Sequence, residues 1–178
     1  VGNLDLNARI FTDNAVVKTG AGTLNVGSGA FDAFRGSLQI DGGTVNLGPN
    51  NSFVSIRSAT GGVGSTTNAN FFLNAGTLNL GGNSQMINSL NSANELSGGT
   101  VTSATAATLT IVGAGRFGGT IGGMISIDKN ANNTLLLTSA QTYSGTTTVR
   151  SGTLTLRDFA ALGSTSGITV TNAALTVD

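Results

Sequence analysis

Short runs in which apolar and polar residues alternate one for one recur along this chain, with Gly, Ser and Asn between them. The stretch Lys129 to Leu156 shows the pattern best. Its runs Thr134–Thr138, Thr146–Arg150 and Thr153–Leu156 have the period of half-buried strands. The alternation points Leu135, Leu137, Thr147, Val149, Leu154 and Leu156 one way. Thr134, Thr138, Thr148, Arg150, Thr153 and Thr155 point the other. Three strands this short cannot bury an apolar face alone, so the unit predicts copies of itself on either side.

A copy is present. Lys18-Thr-Gly-Ala-Gly-Thr-Leu-Asn-Val26 aligns with Lys129 to Leu137, and Gly36 to Leu47 aligns with Gly145 to Leu156. The connecting segments, 27–35 and 138–144, differ by two residues while the strand pattern holds. A stacked-coil architecture tolerates this, because loop length varies freely outside the coil.

A phrase of two small residues, Thr, apolar, polar, apolar runs through the chain. Its Thr, or the equivalent residue, falls at positions 23, 44, 77, 100, 108, 134, 153 and 174. The spacing of 8 between Thr100 and Thr108 marks two strands of one coil, and the rest approach a period of 20–25 residues. The expectation is an all-β fold: a right-handed parallel β-helix of about eight coils, forming one segment over 1–178. Repeat modules lie near 18–47 and 129–156. The wide interval between Thr44 and Thr77 predicts a loop excursion at 59–70. A β-sandwich is the structural rival, since short strands with frequent turns suit it too; the repeated phrase favours the solenoid.

Composition narrows the function. Gly is 27 of 178 residues and Pro is 1, which is neither collagen-like nor Pro-rich. Charged residues make up 9% with zero net charge, and the basic ones are scattered, so no nucleic-acid footprint is expected. With no Cys there are no disulfides, and with no His the commonest metal ligand and general base are missing. No apolar run reaches the ~18 residues of a membrane-spanning helix, so no membrane insertion by this segment is expected. The chain opens on Val1, shows no signal peptide or cap-like helix, and reads as a piece of a longer protein.

The run Leu135-Leu-Leu-Thr-Ser-Ala-Gln-Thr-Tyr-Ser-Gly-Thr-Thr-Thr-Val149, closed by Ser151-Gly-Thr-Leu154, resembles the autotransporter-associated β-strand repeat of bacterial surface proteins. Upstream phrases at Asn83–Leu90, Ala106–Ile111, Phe117–Ile121 and Ile125–Lys129 are similar to those that precede that repeat. The likeness covers roughly Lys18 to Asp178. The Lys-Thr-Gly-x-Gly of the repeat is kept at Lys18–Gly22 and altered at Lys129–Asn133. The aromatic before its central Gly is Tyr143 in one copy and Phe34 in the other. The resemblance implies an extracellular or cell-surface β-helix of a Gram-negative bacterium, a passenger segment that acts as stalk, fibre or adhesin.

Candidate chemistry is sparse. Asp5, Asp13, Asp32, Asp41, Glu95, Asp128, Asp158 and Asp178 fall nearly one per coil. Asp32, Arg35 and Asp41 are the closest grouping for acid–base work, set against turn carboxylates that cap backbone N–H groups. Asp128, Asn130 and Asn132 alternate loosely like a calcium loop, but no further carboxylate follows. Thr23/Asn25, Thr44/Asn46, Thr77/Asn79, Thr100/Thr102, Thr108/Thr110 and Thr153/Thr155 are candidate outward ranks of an ice-binding face, or simply good polar strand formers. Phe34, Phe53, Phe71, Phe72, Phe117, Tyr143 and Phe159 are either sugar-stacking platforms or core fillers. Without His no Ser/His/Asp arrangement assembles, and no Gly-rich segment ends as a phosphate loop does.

The sequence reading is therefore a non-catalytic structural or adhesive segment with no catalytic, cofactor or metal residue. Its partners are expected to be a host surface, a polysaccharide or other copies of itself. A carbohydrate-active β-helix enzyme or polysaccharide-binding module is the alternative, and an ice-binding face the second.

Overall fold

The computed structural model of the protein describes residues 2–8, 10, 14–30, 36–51, 70–158 and 160–178. Among them there are strands and turns and no helix. The chain passes through β1 (Leu4–Leu6) and β2 (Val16–Lys18), then β3 (Thr23–Val26) and β4 (Leu38–Ile40), then β5 (Thr44–Leu47) and β6 (Asn70–Leu73). Two fuller coils follow: β7 (Thr77–Asn79), β8 (Gln85–Ile87) and β9 (Ser89–Asn91), then β10 (Thr100–Thr102), β11 (Ala107–Ile111) and β12 (Gly115–Phe117). Next come β13 (Thr120–Gly123) with the long β14 (Ile125–Leu137), and β15 (Thr142–Tyr143) with the long β16 (Thr146–Leu156). The last are β17 (Gly167–Val170) and β18 (Ala174–Val177).

Every named strand pair is parallel, and strands that neighbour each other in a sheet come from successive turns of the chain. This is a parallel β-solenoid of about seven turns. The first face is the seven-stranded sheet β1-β3-β5-β7-β10-β13-β15. The second holds β8, β11, the first halves of β14 and β16, and β17. The third begins as β2-β4-β6-β9 and continues through β12 into the second halves of β14 and β16 and into β18. There the Ser92 N–H donates to the Arg116 carbonyl at 3.0 Å.

Register superposes like on like. On the first face Leu4, Leu24, Val45, Leu78, Val101 and Ile121 form one inward column. From Leu24 to Ile121 every member is buried. Each such aliphatic contributes about 1.5–3 kcal/mol relative to exposure. Because a coil's inward face is covered only by the coils above and below, that contribution exists only in the stack. Outward of this column, Thr23, Thr44, Thr77, Thr100 and Thr120 form another.

The phrase count overstates the coils, because the phrase migrates between faces. Thr23, Thr44, Thr77 and Thr100 stack on the first face, Thr108 lies on the second, and Thr134 and Thr153 stack with Ala174 on the third. The spacing of 8 does hold two strands of one coil, β10 and β11. The two modules are likewise one face out of phase. Lys18 to Val26 turns from the third face to the first, and Lys129 to Leu137 from the second to the third. The module is thus a corner, reusable at any corner of the coil.

The inward and outward sets expected for Leu135 to Leu156 hold, except for Thr138. It is buried, and its hydroxyl donates to the Glu95 carbonyl. The runs at 125–137 and 146–156 are also continuous through their corners, where separate strands were expected. Of the excursion expected at 59–70, only Asn70 is described, and it opens β6.

Candidate functional site

Asp32 and Arg35 of the Asp32/Arg35/Asp41 grouping lie outside the described residues, as do Asp13, Phe34, Phe53 and Phe159. Asp41 sits at a corner, where it accepts from Gln39 Nε2 at 3.0 and 2.8 Å and from Asn74 Nδ2 of the next coil at 2.8 Å. Asp5 begins an amide ladder on the first face. Asn25 Nδ2 donates to Asp5 at 2.7 Å, Asn46 to Asn25 at 2.9 Å, and Asn79 to Asn46 at 3.3 Å. One side-chain amide per coil, handed up the stack, ties coil to coil as amide ladders do in stacked sheets.

The calcium-like trio is not gathered. Asp128 is outward on β14 and pairs with Arg150 Nε at 3.0 and 3.1 Å, while Asn132 Oδ1 accepts the Ser151 hydroxyl. Among the described residues no group of three acidic side chains could hold a metal ion. The six Thr-x-Thr/Asn pairs do not make one plane either. Four stack on the first face, Thr108/Thr110 lie on the second and Thr153/Thr155 on the third.

The aromatics divide. Phe71, Phe117 and Tyr143 are core residues, and Tyr143 meets the inward Thr147 hydroxyl at 2.5 Å. Burial pushes the Tyr143 phenol up, and the Thr147 contact partly offsets this. Phe72 alternates outward beside Phe71 and is 36% exposed.

Two features escaped the sequence reading. The first is a lysine at each module corner. Lys129 occupies an inward position between Ile111 and Val149 and is 0% exposed. Its amine donates to the Ala131 carbonyl at 2.6 Å and to Asn133 Oδ1 at 2.9 Å. Burial pushes that amine down from its ordinary 10.5. Lys18 sits at the matching place, in register with Ile40, and donates to the carbonyls of Thr19, Gly20 and Gly42 at 2.8, 2.8 and 3.1 Å. A corner leaves backbone carbonyls without ladder partners; the ammonium, with three donors and a long apolar stem, satisfies them from inside. The coil above closes on Gly43 in one module and Gly152 in the other, at φ 70° and 73°. A Cβ there would strike the corner carbonyls beneath. The signal was available: Lys18 shares parity with Val16, and Lys129 with Ile125 and Ile127.

The second is a strap. The segment after β9 turns along the shaft, and Glu95 pairs with both Arg116 and Arg157 while its carbonyl takes the Thr138 hydroxyl. One residue thereby holds three later coils. Arg157 first, then Arg116, hold the Glu95 carboxyl below the usual range. Arg157 also meets Asp158 at 3.2 Å. Beside the strap lies an open groove of about 700 Å³, lined by Asn91, Gly115, Arg116, Leu136, Thr155 and Arg157 among others.

No family model, curated protein or solved structure matches the chain. No helix of the described residues is long and apolar enough to cross a membrane.

Proposed function

We propose that the chain is a non-catalytic, structural and adhesive β-helical segment of a secreted or cell-surface bacterial protein. The observation that carries this reading is the use made of the acidic side chains. Asp5, Asp41, Glu95 and Asp128 each tie one coil to another through an amide or a guanidinium. The likeness of Leu135–Leu154 to the autotransporter-associated repeat supports an extracellular, Gram-negative setting. The wide preference for right-handed crossovers between parallel strands supports a right-handed winding.

The carbohydrate-active enzyme has one observation in its favour: Glu95 and Asp158 converge on Arg157 beside the groove. Glycoside hydrolysis needs one carboxylic acid held protonated by a raised pKa. Glu95 is driven the other way by its two guanidiniums, which suits it to clamping Arg116 and Arg157 and not to the role of that acid. Incubation with soluble plant and bacterial polysaccharides, followed by assay of reducing ends, tests this directly; the proposal expects none. Protease accessibility on intact cells tests location, and a chain shielded until the cells are lysed would refute the surface assignment.

A further inference from the structure

The third face carries an outward line that the structural role engages only at Arg116, through the strap. Gln39 pairs with Phe72 and Phe72 with Asn91 in register, and Arg116 pairs with Leu136, Leu136 with Thr155 and Thr155 with Thr176. The two halves join where the Arg116 N–H donates to Asn91 Oδ1 at 3.2 Å. From Phe72 to Thr176 the line crosses five inter-coil steps, roughly 24 Å at the usual strand spacing.

We propose that this line, with the groove at its centre, is a binding track for an uncharged polysaccharide lying along the shaft. The proposal rests on the adhesive reading above and names its ligand class. Four observations carry it. Phe72 presents an aromatic ring whose partners in register on either side are the polar Gln39 and Asn91, a surface a pyranose ring stacks on. Its neighbours are planar amides fixed before any ligand arrives: Gln39 is held by Asp41, and Asn91 donates to the Ser89 hydroxyl at 2.8 Å. Pre-fixed donors and acceptors avoid the ordering cost of binding. The groove floor is apolar at Leu136, which faces outward yet is only 7% exposed. Finally, the two guanidiniums at the groove are neutralised in place by Glu95 and Asp158. They keep spare N–H donors out of their five and offer no net positive field. An acidic glycan would meet charges already paired; a neutral one meets hydroxyl partners and an apolar floor.

Titration calorimetry with hexasaccharides of cellulose, xylan, mannan and chitin, and with a polygalacturonate hexamer as the anionic control, tests the track. The expectation is that at least one neutral hexasaccharide binds. Phe72→Ala and Arg116→Ala should each weaken it about three- to tenfold, the range of one aromatic or hydrogen-bonded contact. Asn46→Ala, on the first face, should leave it unchanged. Phe72→Leu keeps apolar area and loses the ring, so it stands in if Phe72→Ala fails to fold. Binding of no neutral hexasaccharide, binding of polygalacturonate alone, or a loss that follows Asn46→Ala and spares Phe72→Ala would each overturn the track. None of these would touch the structural reading. Conversely, reducing ends released from a bound hexasaccharide would refute the non-catalytic reading and leave the track standing.

Discussion

Removing the lysine beneath the later corner should cost more than removing almost any other charged side chain in the protein. Lys129 is fully enclosed, and its methylenes fill an inward position between Ile111 and Val149. Lys129→Ala deletes the stem beyond Cβ, at about 0.8 kcal/mol per buried methylene, or roughly 2 kcal/mol. The Ala131 carbonyl then loses its donor inside the coil, a further 1–3 kcal/mol or so. The sum is about 3–5 kcal/mol, in the range of core truncations. Lys129→Met keeps the stem and loses only the hydrogen bonds, so about 1–2 kcal/mol is expected, since the burial of a charge is relieved at the same time. Lys18→Ala should also cost less than Lys129→Ala, because Lys18 is only half-buried. Urea unfolding followed by far-ultraviolet circular dichroism measures all three, with hydrogen exchange at Ala131 to Thr134 as the local readout. A second signature comes from pH. The folded-state pKa of Lys129 lies below its ordinary 10.5, so the unfolded chain binds more protons between the two values. Stability from this group therefore rises with pH toward 10.5. The advantage of the wild type over Lys129→Met should widen in that direction. A Lys129→Ala variant as stable as Lys18→Ala, or one indifferent to pH relative to wild type, would refute the corner argument.

Further outcomes follow from the same geometry. Phe71→Ala should cost about 3–5 kcal/mol as a core truncation, while Phe72→Ala should stay within about 1 kcal/mol, a contrast that thermal unfolding of the two neighbours resolves. Gly152→Ala puts a Cβ against corner carbonyls at a φ of 73°, so a loss of at least 1–3 kcal/mol or so is expected in the same urea assay. Asn46→Ala breaks the amide ladder on both sides and should cost on the order of 1 kcal/mol. Glu95 has a folded pKa held below its ordinary 4.5, so its contribution is present above that value and lost as pH falls through the folded value. Glu95→Gln should remove this acid-labile part, read as a flatter stability profile on the acid side.

The fold was legible because its physics is local and repetitive. Alternation at Leu135, Leu137, Leu154 and Leu156 states which side is inside, and identical phrases at coil-like spacing state that coils superpose. Which face a phrase occupies was not legible. Thr-Leu-Asn-Val at Thr23 and Thr-Leu-Leu-Leu at Thr134 have the same inward parity and differ only in how many corners precede them. Thr138 looked outward by parity, yet it is drawn under the strap by Glu95, a contact 43 residues away in the chain. The two lysines did not stand out as corner residues, although parity placed both inside. Phe71 and Phe72 are indistinguishable by type, and the parity of Leu73 sorts them once the strand is fixed. The groove at Arg116 and Arg157 gathers residues from separate coils, so no linear motif announces it.

The central claim is that successive turns superpose in one parallel register. The chain has no Cys, so paired cysteines report that register without interference. Thr44 and Thr77 are partners on the first face, and adjacent strands lie about 4.8 Å apart, within reach of a disulfide. The account predicts that Thr44→Cys/Thr77→Cys and Thr77→Cys/Thr100→Cys oxidise readily to intramolecular disulfides under native conditions, while Thr77→Cys/Thr108→Cys stays reduced. Efficient closure of the 77/108 pair, or failure of 44/77 in folded protein, would contradict it.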